Sequence, residues 1–155
     1  MPRVGLISDT HSLLRPEARA FLQGSDYIIH GGDICDPGIL EMLAAIAPLT
    51  AVRGNNDRGP WAEPLHETEI LQVEGVVIYA IHDLSQLDIE PAAAGVRVVI
   101  SGHSHKPLVE ERGGVLYVNP GSAGPRRFKL PIAVAELIVE GSAVSARVVE
   151  LDCQG

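Results

Sequence analysis

This chain has little of what would mark the more specialised protein classes. It holds two cysteines in 155 residues, Cys35 and Cys153, and neither sits in a C-x-x-C pair. That excludes a disulfide framework and a thiolate metal site, and both read as small buried or terminal thiols. No apolar run approaches the roughly 20 residues of a membrane-spanning helix. Residues 1–10 contain one arginine and no sustained apolar stretch, so no signal peptide is expected. Positive charge is also scarce: 12 Lys and Arg face 20 Asp and Glu, a net charge of −8 with histidine neutral. A surface of that sign repels polyanions, so stable nucleic-acid binding is not expected. Low-complexity tracts, solenoid repeats and linkers are missing too. The expectation is a single domain over residues 1–155, with a substantial core, in the cytoplasm and away from membranes.

What the chain does have is a repeated pattern. Five short apolar runs each end on a metal-type ligand. Val4-Gly-Leu-Ile-Ser leads into Asp9-Thr-His11, and Tyr27-Ile-Ile-His-Gly-Gly leads into Asp33. Thr50-Ala-Val-Arg-Gly leads into Asn55-Asn56-Asp57, Val76-Val-Ile-Tyr-Ala-Ile into His82, and Val98-Val-Ile-Ser-Gly into His103-Ser-His105. β-Branched runs bounded by glycine and polar residues read as buried strands. In open α/β sheets, ligands bind at the carboxyl ends of such strands. Asp9, His11, Asp33, Asn55, His82, His103 and His105 would thus gather along one edge of the fold. Seven ligands are too many for one ion and about right for two.

The remaining elements follow from local signals. Pro16-Glu-Ala-Arg-Ala-Phe-Leu-Gln predicts a short helix stopped by Gly24, and Asp36-Pro-Gly opens a second helix that ends before Pro48. Glu74-Gly75, Gly113-Gly114 and Glu140-Gly141-Ser142 each lie between apolar runs and predict three hairpins, the third from Leu130–Val139 and Ala143–Val149. A further helix is expected to start near Asp83 or Ser85. Early βαβ units followed by hairpins imply an α/β fold with a mixed sheet or two stacked sheets and helices outside.

The ligand types suit catalysis. Asp-x-His puts a carboxylate and an imidazole on neighbouring positions, and Gly102-His103-Ser-His105 offers two imidazoles from one turn. One aspartate can bridge two cations through its two oxygens. Carboxylate, amide oxygen and imidazole without thiolate suit Mn, Fe, Ni or Zn better than Ca or a structural zinc. Two such ions about 3.5–4 Å apart hold a hydroxide at neutral pH and clamp a phosphoryl oxygen during in-line attack.

In order and placement, Ser8-Asp9-Thr-His11, Gly31-Gly32-Asp33, Gly54-Asn55-Asn56-Asp57, His82 and Gly102-His103-Ser-His105 resemble the successive blocks of the calcineurin-like metallophosphoesterases. The chain length and Asn119-Pro120-Gly121-Ser122 look like the compact bacterial and archaeal phosphodiesterase branch. The resemblance covers about residues 3 to 127. It implies a four-layer α/β/β/α sandwich with two mixed sheets and a dinuclear site at the strand ends. Carried over by position, Asp9, His11 and His105 would hold one ion, Asn55, His82 and His103 the other, and Asp33 would bridge. The implied activity is hydrolysis of small phosphodiesters by a metal-bridging hydroxide, with manganese the first choice and nickel, iron or zinc as alternatives. Asp33, Asn55 and His103 are the expected catalytic residues, and Arg53 and Asn56 the expected substrate contacts.

Two positions depart from that pattern. Many family members have His where this chain has Asn56, and that His is the usual proton donor to the leaving alkoxide. Asparagine cannot shuttle a proton, a contribution of about 10²–10⁴-fold, so a bias toward activated diesters is expected, with His103 or solvent assisting. Asp57 would then brace the Asn55 loop. Asp83 stands where the family usually has glycine, and with Gln86 three residues on it reads first as a helix N-cap.

Other polar residues have plainer readings. His30, among apolar residues, is a satisfied core or ligand-supporting histidine. His66, Glu110 and Glu111 read as exposed. Arg126 and Arg127 read as surface charges, and Arg53 as either a phosphate contact or a partner in an ion pair. Trp61 could line an entrance or cover the core. The rival to an enzyme is a protein-interaction scaffold on the same fold, as in the small retromer subunit, but scaffolds lose ligands that this chain keeps. A monophosphatase is disfavoured because no insertion supplies a specificity lid. The third hairpin carries β-branched edge strands, and pairing them in a homodimer is one way to cover such an edge.

Overall fold

A computed structural model describes residues 1–153. In chain order the elements are β1 (Arg3–Ile7), α1 (Pro16–Leu22), β2 (Tyr27–His30), α2 (Pro37–Ala44), β3 (Leu49–Ala51), β4 (Thr68–Val73), β5 (Val76–Ile81), β6 (Val98–Ile100), β7 (Leu108–Arg112), β8 (Val115–Asn119), β9 (Ala133–Glu140) and β10 (Ala143–Glu150). They build two five-stranded sheets, ordered β10-β9-β1-β2-β3 and β4-β5-β6-β8-β7. Both are mixed. β1, β2 and β3 run parallel, as do β5, β6 and β8, while the three hairpins and the β1–β9 pair are antiparallel.

The period of two in the strands decides the layers. Val4 and Leu6 of β1, Leu137 of β9, Ile78 of β5 and Val98 of β6 face one another in the core between the sheets. Ile7 and Ile28 point the other way, onto α1 and α2 through Ala18, Leu22, Ile39 and Leu43. On the outer face of the second sheet, Tyr79, Ile81 and Val99 are covered by Leu84, Leu87 and Ile89. A strand buried on both faces needs an unbroken apolar run, which is why these segments are so legible.

Three local expectations change in detail. The helix expected near Asp83 is a single 3₁₀ turn, Leu84–Gln86. The stretch is too short to nucleate an α-helix, and Pro91 bars extension. Asp83 does cap the turn: its side chain accepts from the Ser85 N–H (3.0 Å) and Oγ (2.8 Å), and its backbone carbonyl from the Gln86 N–H (3.0 Å). The third hairpin begins at Ala133 rather than Leu130, because Pro131 has no N–H for a ladder. Within it, only β10 is an edge strand, since β9 lies between β10 and β1.

Candidate metal centre

Each candidate ligand leaves its strand within a few residues of the carboxyl end. Asp9 and His11 follow β1, Asp33 follows β2, Asn55 follows β3, His82 follows β5, and His103 and His105 follow β6. The turns are tight. Asp9, His11, Asp33, His103 and His105 all have positive φ, at 53°, 45°, 58°, 70° and 64°. Asp and His tolerate this region better than most residues, yet each such residue still costs on the order of 1–3 kcal/mol. Two glycines permit the crowding. A Cβ at Gly54 would collide with the Asp33 carboxylate and N–H, and one at Gly102 with Ser8 Oγ and Asp9 Oδ2.

The side chains meet in two clusters, Asp9/His11/His105 and Asp33/His82/His103, each with its ligand atoms within 4.8 Å of one another. His105 Nε2 is 3.4 Å and His11 Nε2 3.8 Å from Asp9 Oδ1. Asp33 Oδ2 joins the clusters, 3.7 Å from His11 Nε2 and 3.3 Å from His82 Nε2. Asn55 Oδ1 lies 3.0 Å from His82 Nε2 and 3.2 Å from His103 Nδ1. All seven positions singled out in the sequence are therefore brought together.

Their orientation is fixed by residues behind them. Asp9 Oδ2 accepts from Ser8 Oγ (2.6 Å) and the His103 N–H (3.1 Å), which leaves Oδ1 to face the imidazoles. His82 Nδ1 lies 2.6 Å from the Gly31 carbonyl, so it carries the proton there and turns Nε2 inward. Asp33 accepts from Asn56 twice, from its N–H at Oδ1 (2.9 Å) and from its side-chain amide at Oδ2 (3.1 Å). Buried Asp57 receives four backbone N–H groups: Asp33 and Gly54 on Oδ2, Ile34 and Cys35 on Oδ1, all at 2.8–2.9 Å. It therefore braces the Asp33 loop as well as the Asn55 loop. Asn119 Nδ2 donates to the Gly102 carbonyl (3.0 Å) and Ser104 Oγ (3.1 Å), holding the His103–His105 turn. The Asn-Pro-Gly-Ser block was the visible trace of that last brace; Ser8 heads the first motif block, but its part in aiming Asp9 had no trace in the sequence.

Electrostatics follow from burial and these contacts. At Asp33, burial favours the neutral acid, but the His82 hydrogen bond, the Asn56 N–H and the His82 and His11 charges outweigh it and hold the carboxyl far below its ordinary value. For His82, burial favours the neutral ring, yet the Asp33 hydrogen bond, the Asp9 charge and the Gly31 carbonyl raise its pKa. His11 is lowered, chiefly by burial. His30 is fully buried and lowered to about 4, again by burial. Its Nδ1 accepts from the Gly32 N–H (3.0 Å) and its Nε2 lies 3.0 Å from Thr10 Oγ1, so it supports the loops rather than lining the centre.

The donor set fits divalent cations. Asp9 Oδ1 and His11 Nε2 are buried and make no hydrogen bond, an arrangement that costs about 1–3 kcal/mol per group unless a cation compensates it. In the second cluster His82 Nε2 lies 3.0 Å from Asn55 Oδ1 and 3.3 Å from Asp33 Oδ2, so with the ring neutral and its proton on Nδ1 the three atoms would present donor pairs to a shared cation. A cleft of about 470 Å³ adjoins this cluster; Arg53, Glu67, Asp83, Asp88 and His103 are among its lining residues. Arg53 sits 3.7 Å from Glu67 there, and Asp83 Oδ2 is 3.9 Å from His103 Nε2.

Two oxygen-and-imidazole clusters sharing one aspartate, at the strand ends of a double-sheet sandwich, define a class of divalent-metal proteins suited to chemistry on phosphate esters. The model of the calcineurin-like phosphoesterase superfamily domain matches residues 3–142, and the chain belongs to that family. A probable metallophosphoesterase of Methanothermobacter thermautotrophicus is 33% identical over 159 residues, covering 94% of this chain and 91% of its own length. A phosphodiesterase of Methanocaldococcus jannaschii is 28% identical over 138 residues, 77% of this chain and 82% of its own. Vps29 of Chaetomium thermophilum superposes with a TM-score of 0.79 over 97% of each chain at 18% identity, a likeness of fold alone. Family membership makes divalent-metal-dependent phosphoester hydrolysis the activity class. No helix among the described residues is long and apolar enough to cross a membrane.

Proposed function

We propose that this protein hydrolyses small phosphodiesters with two divalent ions, manganese being the first choice and nickel, iron or zinc the alternatives. Asp9, His11 and His105 hold one ion, Asn55, His82 and His103 the other, and Asp33 lies between them. The observation that carries the reading is that Asp9 Oδ1 and His11 Nε2 are buried without hydrogen bonds, while His11 Nε2 lies 3.7 Å from the same Asp33 oxygen that is 3.3 Å from His82 Nε2.

Divalent ions in these positions supply Lewis acidity toward a phosphoryl oxygen and an acidified water as nucleophile. The protein's part is positional. Ser8 and the His103 N–H aim Asp9, the Gly31 carbonyl aims His82, and Asn56 with Asp57 aims Asp33, so little reorganisation remains at the moment of reaction. His103 turns Nδ1 toward Asn55, which leaves its Nε2 on the Asp83 side, where it can donate a hydrogen bond to a leaving oxygen. The Asn56 amide is engaged by Asp33 and has no transferable proton, which favours diesters with good leaving groups. Glu67, Asp83 and Asp88 along the cleft disfavour the second negative charge of a monoester. The scaffold alternative is disfavoured by the intact ligand set.

The test is hydrolysis of an aryl phosphodiester and the matching monoester by metal-stripped protein reloaded separately with Mn, Ni, Zn or Mg. Restored diester cleavage in excess of monoester cleavage is the expected result. No turnover under any metal, with metal binding still seen by calorimetry, would return the scaffold to first place.

A further inference from the structure

Against the net charge of −8, one short stretch is densely basic, and it follows a segment anchored at the metal centre. Arg126, Arg127 and Lys129 are three of the chain's 12 basic residues and fall within four positions. Residues 125–129 are all exposed, directly after the buried stretch 121–124. That buried stretch is anchored on the first cluster: Ser122 Oγ donates to the Asp9 carbonyl at 3.0 Å. Gly124 lies so close to the carbonyls of Asp9 and Thr10 that it leaves no space for a Cβ. The chain then turns outward and closes on itself, with the Leu130 N–H donating to the Arg127 carbonyl (3.1 Å) and Arg126 Nη1 donating to the Leu130 carbonyl (3.2 Å).

Between the basic residues stands Phe128, 93% exposed and at φ 52°. A bulky aromatic in the left-handed region is uncommon, and backbone strain of this kind concentrates at ligand sites. A ring so exposed contributes almost nothing to the core. Its setting, a basic loop rising from the edge of a site for an anionic ester, combines positive charge with a stacking surface, the pairing used to hold bases along a phosphate backbone.

We propose that the Arg126–Lys129 loop is the substrate-recognition arm of this site, with Arg127 drawing in the phosphodiester anion and Phe128 stacking on a planar aromatic group of the substrate such as a nucleobase. The proposal rests on the phosphodiesterase reading and narrows its substrate class to diesters that carry such a group on the side retained with phosphorus. It gives the two flanks of the centre different tasks. The cleft beside His82 and His103 is lined by carboxylates, with Arg53 engaged by Glu67, whereas the basic loop leaves the fold from the anchor on the Asp9 and Thr10 carbonyls.

Two diesters with the same leaving group decide it: thymidine 5′-(4-nitrophenyl) phosphate and methyl 4-nitrophenyl phosphate, with manganese-loaded protein. The wild type is expected to favour the nucleoside diester through a lower KM. Phe128→Ala lowers kcat/KM for the nucleoside diester about tenfold more than for the methyl diester, mainly through KM, the size of one base–aromatic stack. Phe128→Trp restores the preference. Arg127→Gln raises KM for both, and less so at high salt. Equal effects of Phe128→Ala on the two diesters, or no preference in the wild type, would overturn the proposal. If neither diester is cleaved, the phosphodiesterase reading falls, and calorimetry of the nucleoside diester on the metal-loaded protein judges the loop separately. Weaker binding by Phe128→Ala than by wild type would then uphold the arm, and equal binding would overturn it.

Discussion

Replacing Asp57 by asparagine exchanges one carboxylate oxygen for an NH₂ group of nearly the same shape. Asp57 is 4% exposed, and each of its oxygens receives two backbone N–H groups. Whichever way the new amide turns, its NH₂ faces two donors: those of Asp33 and Gly54, or those of Ile34 and Cys35. Two charge-assisted hydrogen bonds are lost, at about 1.5–3 kcal/mol each, so Asp57→Asn should cost about 3–6 kcal/mol. That is a large part of the roughly 5–15 kcal/mol that holds a domain folded. At about 2–4 °C per kcal/mol for a chain of this size, Tm should fall by about 6–24 °C. Scanning calorimetry of the metal-free protein measures this directly, and metal titration of the variant should show weaker binding because in either orientation the loop that carries Asp33 has lost an anchor. A Tm within about 2 °C of wild type would refute the four-donor account.

Asp33→Ala should abolish metal-dependent hydrolysis, by more than about 100-fold, with an unchanged circular dichroism spectrum; retained activity would show that Asp33 does not join the two ligand clusters. Asn56→His should raise turnover of diesters with poor leaving groups by up to about 10²–10⁴-fold while leaving aryl diesters nearly unchanged, measured as the ratio of the two rates. No change in that ratio would mean that proton donation does not limit the reaction. His30 is lowered from 6.5 to about 4 by burial, so the unfolded chain binds its proton first as pH falls. Stability fully present above pH 6.5 should therefore decline by about 3 kcal/mol between pH 6.5 and 4. Urea unfolding of the metal-free protein at pH 7, 5.5 and 4 measures it, His30→Asn should flatten the slope, and equal wild-type stability at pH 7 and 4 would exclude the effect.

The strands and the ligand order were legible in the sequence for a simple reason. A parallel strand buried on both faces must be an uninterrupted apolar run, and where it leaves the sheet the chain must turn and meet water. Val4–Ile7, Tyr27–His30, Val76–Ile81 and Val98–Ile100 obey that rule, so each Asp or His that follows them could be placed at a strand end before any contact was known. Local turn chemistry reached less far: it marked a helix at Asp83 where the chain makes one 3₁₀ turn, and an edge at the third hairpin that belongs to β10 alone.

Periodicity and spacing within one segment were enough to mark the two kinds of layer, the strand ends and the seven candidate ligand positions. Only the tertiary structure decided which atom of each ligand is available. Asp9 Oδ2 is occupied by an N–H from 94 residues away, Asn56 is bound to Asp33 across 23 residues, and Asp57 gathers donors from the loops after β2 and β3. Hydrogen bonds between distant loops leave no periodic trace in the chain. The same holds for the left-handed backbone at five ligands and for Phe128, whose exposure follows from a turn made against Asp9 and Thr10 rather than from its neighbours in sequence.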